Sequence, residues 1–184
     1  MADFIKDGTG TGYLAKVSAE NRLQTDCVSQ DDATHISHMH EELYSWTTNH
    51  DVGADEYILC LKNTNSNKNL CIETIRIAND SATNFAVGFG TWNTVGGTSE
   101  IIGTNATANS ANVAEAICYR TATDFTEDTG KMLQSLAGAN TERVFRPEGK
   151  IVLGFNGILY IKTSAASTSN CSAVIWGFFK DFDI

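Results

Sequence analysis

No apolar run in this chain approaches the roughly 20 residues that a membrane-spanning helix requires. The opening Met-Ala-Asp-Phe-Ile-Lys-Asp-Gly also lacks the apolar stretch of a secretion signal. These two absences predict a soluble protein, made and kept inside a cell, with no membrane partner. Basic residues are scarce: 13 Lys and Arg against 22 Asp and Glu leave a formal net charge of -9. That balance is the reverse of the basic footprint of a nucleic-acid binder, so no direct nucleic-acid partner is expected; the acidic surface suits solubility at high local concentration. The five cysteines (Cys27, Cys60, Cys71, Cys118 and Cys171) have no C-x-x-C spacing. Zinc is disfavoured on that count, and buried thiols are the expectation.

Catalytic signatures are missing as well. There is no G-x-S-x-G elbow, and nothing in the spacing of the acids places two of them about a scissile bond. The alternating glycines Gly8, Gly10 and Gly12 suggest a phosphate loop, but a dinucleotide fingerprint sits between a strand and a helix. Here Tyr13-Leu-Ala-Lys-Val follows, and it alternates like a strand. The chain is therefore expected to be non-enzymatic and to need no cofactor.

What the sequence has in abundance is short β-forming segments. Glu56 to Ile77 is the most organised stretch: Tyr-Ile-Leu-Cys-Leu-Lys, a polar run from Asn63 to Asn69, then Leu-Cys-Ile-Glu-Thr-Ile-Arg-Ile. Two apolar segments around an Asn-rich run read as a β-hairpin. A turn centred on Asn65 and Ser66 sets Leu61 against Leu70, Leu59 against Ile72, and Cys60 against Cys71 in a strand pair. Similar segments recur at 13–17, 23–28, 43–48, 84–92, 113–120, 151–153, 158–162 and 173–179, punctuated by Gly, Asn, Ser and Thr. Phe85, Val87 and Phe89 share one face of theirs, with Gly88 and Gly90 on the other, where a bulge or a close backbone approach is expected. Lys131 to Ala137 is briefly amphipathic and reads as a short helix. The single proline, Pro147, opens a turn. Length and pattern together predict an all-β protein, an antiparallel β-sandwich of jelly-roll-like form. Residues 1–12 form a short extended N-terminal arm, and 13–184 form a single domain.

The run from Asp7 to Thr25, Asp-Gly-Thr-Gly-Thr-Gly-Tyr-Leu-Ala-Lys-Val followed by a polar turn and a short Leu-containing strand, resembles the opening of a group of small tailed-bacteriophage virion proteins. The stretch Leu59-Cys-Leu-Lys-Asn-Thr-Asn-Ser-Asn-Lys-Asn-Leu-Cys-Ile-Glu-Thr-Ile75 resembles a second element of the same group. The resemblance implies a structural component of the virion, such as a capsid decoration (cement) protein on the outside of the head, or a tail, neck or fibre-base component. Its partners would be the major capsid protein or other virion proteins, with homo-oligomerisation, a trimer for instance, on the capsid surface. The arm supplies the candidate contacts Phe4, Ile5 and Tyr13, because an extended strand can add to a neighbour's sheet edge.

Two further sets of residues merit attention. His35, His38 and His40 are the only clustered imidazoles; on a strand His38 and His40 share a face, and on a helix His35 and His38 do. With Glu41 or Glu42 they form a candidate metal set, although the segment reads equally as a solvated polar loop. Tyr44, Trp46, Trp92 and Trp176 are candidates to line a sugar-binding groove, the feature of a carbohydrate-binding module, or simply to fill the core.

Overall fold

The computed structural model describes residues 4–6, 14–17, 23–24, 42–92, 97–122, 124–164, 166 and 170–181. The chain divides into two compact units, Met1–Asp31 and Asp32–Ile184. In the first, β1 (Phe4–Lys6), β2 (Leu14–Val17) and β3 (Leu23–Gln24) form a three-stranded antiparallel sheet in that order. Phe4 lies opposite Lys16 and Ile5 opposite Ala15.

The second unit is an antiparallel β-sandwich, with no helix among the described residues. Four antiparallel pairs are nested along the chain. β4 (Leu43–His50) pairs with β15 (Cys171–Asp181), and β5 (Tyr57–Asn63) with β14 (Ile158–Thr163). β6 (Lys68–Asn79) pairs with both β12 (Thr141–Phe145) and β13 (Ile151–Leu153), and β7 (Thr83–Trp92) with β11 (Phe125–Ala137). Successive pairs alternate between two sheets, so one sheet holds the order β11-β7-β14-β5 and the other β12-β6-β15-β4. The excursion between β7 and β11 extends both layers. β10 (Ala116–Ala122) and β8 (Gly97–Glu100) follow β5 in the first sheet, and the two-residue β9 (Thr104–Asn105) follows β4 in the second.

The alternation of side chains along each strand sends one set inward. Tyr44 and Trp46, Leu59 and Leu61, Leu70 and Ile72, Phe85 and Val87, Leu159 and Ile161, and Ala173 and Ile175 form the core between the sheets. Two breaks in that alternation are absorbed by bulges. In β5, Ile161 faces Leu59 while Lys162 faces Tyr57, so Ile58 and Leu59 both turn into the core and Tyr57 turns out. In β6, Trp176 faces Thr74 while Gly177 faces Ile72; skipping Glu73 lets Leu70 and Ile72, then Ile75 and Ile77, all point inward.

Two expectations from the sequence are corrected here. Lys131 to Ala137 is not a helix but the second half of β11, in register with β7 from Leu133–Val87 to Ala137–Thr83; partnership with a neighbouring strand overrides the local periodicity. The stretch from Glu56 to Ile77 is not a hairpin either, because β5 and β6 lie in different sheets. The polar run is an arch that carries the chain from one layer to the other. Leu59, Leu61, Leu70 and Ile72 do share one core, but across the sandwich rather than along a ladder. Cys60 and Cys71 belong to separate clusters outside that core; both are thiols, as are Cys118 and Cys171.

Buried asparagines make the arch possible. The Asn63 N–H donates to the Gly157 carbonyl (3.0 Å), and its own carbonyl accepts from the Asn156 N–H (2.9 Å). Its side-chain Nδ2 donates to the carbonyls of Lys68 (2.9 Å) and Leu153 (2.8 Å), and Oδ1 accepts from the Asn65 N–H (2.9 Å). Asn65 Oδ1 in turn accepts from the N–H groups of Asn67 and Lys68, and its Nδ2 donates to Glu115. One side chain thus ties the β5–β6 arch to the β13–β14 crossing.

Replacing Asn63 with Ala removes three side-chain hydrogen bonds at a fully buried site. Equilibrium urea unfolding is expected to register a loss of about 3 kcal/mol. Asn63→Asp is expected to cost at least as much at neutral pH, because a carboxylate oxygen would replace the donor facing two carbonyls. Mild oxidation should leave Cys60 and Cys71 unlinked, as peptide mapping without reductant would record.

Candidate functional site

A connected polar constellation lies on the outer face of the first sheet. Gly88 and Gly90 of β7 make room for it. A Cβ at Gly88 would sit 2.7 Å from Tyr160 Oη, and one at Gly90 would sit 2.2 Å from Phe125 Cζ and 2.6 Å from the Thr126 carbonyl oxygen. Aromatic side chains therefore lie directly on β7 backbone, and the facing strand β11 carries register shifts between Glu127 and Lys131. Both outcomes expected for the two glycines, a close approach and a bulge, occur here.

Tyr57, Phe125 and Tyr160 meet edge to face, with centroids 4.8 to 5.5 Å apart. Trp92 joins them through Phe125 (6.1 Å) and continues to Tyr119 (5.7 Å). At the polar edge of this cluster stands Glu127. Its Oε1 accepts from Tyr57 Oη (3.1 Å) and Lys162 Nζ (2.7 Å), and its Oε2 accepts from Tyr160 Oη (3.0 Å). Lys162 Nζ also lies 5.4 Å from the Tyr57 ring centroid.

The electrostatics follow from that geometry. Burial alone would raise the Glu127 carboxyl. Hydrogen bonds from Lys162 and Tyr160, the Lys162 charge and the Tyr57 hydroxyl outweigh it and hold the group below its ordinary value near 4.5. Burial, and then the same carboxylate, pushes both tyrosine hydroxyls up. Glu127 is thus held ionised and both tyrosine hydroxyls protonated, and their hydrogen bonds fix β11 to β5 and β14.

A second polar group occupies the inner face at one end of the sandwich. Cys171 lies opposite His50 on one side and Asn79 on the other. The His50 Nδ1 lies 2.8 Å from Thr48 Oγ1, and burial followed by the Arg120 charge lowers its pKa. The row has the residue types of a thiol nucleophile with a base. Burial and then Asp80 push the thiol up to about 12, so it is held protonated, whereas an active nucleophile needs the thiolate.

The residues singled out from sequence are dispersed. Phe4 and Ile5 lie in β1, while Tyr13 and the histidines His35, His38 and His40 fall outside the described residues. Among the described residues no group of three or more His, Cys, Asp and Glu is placed to hold a metal. Tyr44 and Trp46 are buried between the sheets, Trp92 lies in the outer cluster of the first sheet, and Trp176 is half-buried on β15. These four do not form a common groove. Sequence reasoning missed Glu127, Lys162, Tyr57 and Tyr160, which come from three strands; the glycine pair Gly88 and Gly90 was the available signal, since bare backbone on an otherwise bulky strand invites rings to cover it.

A carboxylate whose folded-state pKa is depressed adds stability above its unfolded value and loses it as pH falls through the folded value. Wild-type stability should therefore include a Glu127 contribution that is present above about pH 4.5 and fades below it. Glu127→Gln is expected to cost about 2 kcal/mol at neutral pH and to flatten that part of the profile, as urea titrations at stepped pH would record. Compared with known proteins, the chain matches no family model, no curated protein and no solved structure.

Proposed function

We propose that this protein is a non-enzymatic structural component of a bacteriophage virion, binding the outside of the head as an oligomeric decoration protein. The observation that carries the reading is the winding of the chain. Four nested antiparallel pairs that alternate between two layers support reading the sandwich as an eight-stranded jelly roll, an architecture used by viral capsid and lectin domains. This is an argument from fold analogy. It gains weight from the likeness of Asp7–Thr25 and Leu59–Ile75 to virion proteins.

The physical properties suit that station. Arches locked by buried asparagine and an outer face pinned by a satisfied carboxylate give a body that resists deformation, which a protein stiffening a shell requires. Among the described strands of the N-terminal sheet, β1 has β2 as its one neighbour and stands at the edge. Its Phe4 and Ile5, with Tyr13 nearby in sequence, would contact a neighbouring subunit by adding backbone to an exposed strand. A tail, neck or fibre-base position would use the same properties at far lower copy number.

Quantitative mass spectrometry of purified particles distinguishes these stations. A decoration protein is expected at a copy number close to that of the major capsid protein. A count in the tens or fewer would move the protein to the tail or neck, and absence from particles would overturn the virion reading.

A further inference from the structure

We infer that the second half of β11 is the seam of a two-fold dimer, in which it pairs antiparallel with the same strand of a second copy of this chain. Among the described strands, β11 is an edge of the first sheet and has β7 as its one neighbour. Its first half discourages a further partner, because it carries Glu127, Asp128 and Lys131 and its register shifts between Glu127 and Leu133. From Leu133 to Ala137 the register with β7 is unbroken and no residue is charged.

The direction of the backbone groups follows from β7. The Ser164 N–H donates to the Asn84 carbonyl (3.0 Å), so Asn84 turns toward the β14 side. Residues of an antiparallel strand turn alternately to their two neighbours. Leu136 lies opposite Asn84, so it turns its N–H and carbonyl outward, and Gln134 does the same. Arg143 Nη2 reaches that outward Leu136 carbonyl from β12 (3.0 Å), which leaves the oxygen a second lone pair.

Three features select a second copy as the occupant. With Ser135 on the two-fold axis, Gln134 of each copy falls opposite Leu136 of the other, and their outward groups close four hydrogen bonds. Ser135 then meets its own counterpart in the close, non-hydrogen-bonded pairing, with Cα atoms about 4.5 Å apart; its small side chain fits there, and no like charges are brought face to face. Exposed apolar side chains also gather on this side of the sandwich. Leu136 is 64% exposed, while Val144 of β12 and Val152 of β13, on the free side of β6 in the second sheet, are 40% and 46% exposed. An isologous contact covers all of them twice.

The test reads association in solution and is independent of whether the protein belongs to a virion. So short a seam makes a weak dimer, so sedimentation of the intact chain is followed over a concentration series. The mass is expected to rise from 19.9 kDa toward twice that value. Gln134→Pro should stay monomeric over the same series with a urea midpoint near wild type, because it lacks only an N–H that β7 does not use. Under mild oxidation Ser135→Cys should yield about tenfold more disulfide-linked dimer than Gln134→Cys, whose thiols face different residues across the seam; the wild-type chain controls for its own cysteines. Should Gln134→Pro lower the urea midpoint, the cross-linking pair decides alone. The inference is overturned if the intact chain stays monomeric throughout, or if a well-folded Gln134→Pro associates like wild type, which would place the contact elsewhere. Equal cross-linking at 134 and 135 would overturn it too.

Discussion

The sandwich depends on the chain being able to cross between layers without leaving buried peptide groups unpaired. Each crossing strips a segment of its ladder partners, and an unpaired buried carbonyl or N–H costs as much as a lost hydrogen bond. Asn63 meets that requirement at one end, where its backbone and side chain together bind the β5–β6 arch and the β13–β14 turn. The opposite end uses a different set. The Asp80 N–H donates to the Asn170 carbonyl (3.0 Å), the Ser164 N–H donates to the Asn84 carbonyl (3.0 Å), and the Thr83 and Thr163 hydroxyls lie 2.8 Å apart. At both ends the two chain segments of the wound ribbon remain hydrogen-bonded to each other around the corner.

With the corners fixed, the faces carry different burdens. The inner faces are aliphatic and aromatic and hold the layers together. The outer face of the first sheet carries a second, smaller aromatic cluster, closed by Glu127 and Lys162. A half-buried carboxylate is tolerable only when its oxygens are satisfied, and here three donors from β5 and β14 do so. The result joins three strands of one layer through side chains as well as backbone.

Fold class was legible because alternation and turn residues are local signals, and most strands fall within a few residues of where those signals place them. The partner of each strand was not. The Asn63–Asn69 run has the composition of a hairpin turn, and nothing local distinguishes a turn that returns along one sheet from an arch that enters the other. The difference lies in Leu153, Asn156 and Gly157, some ninety residues away. β11 was misread in its second half for a related reason: its strand state is set by pairing to β7, not by its own pattern. The outer cluster was visible only as a shadow, in glycines that leave β7 bare beneath the rings of Tyr160 and Phe125.

The nested pairing also sets an order on assembly. Within its sheet, β4 is flanked by β15 and the two-residue β9, so a ribosome must add more than a hundred residues after Leu43 before that strand meets its main partner. Until then Tyr44 and Trp46 have no finished layer to sit in, and the half-made chain presents them to chaperones and to other nascent chains. Damage to β15 alone would hold the molecule in that immature state, since this one strand is the shared neighbour that joins β4 to β6.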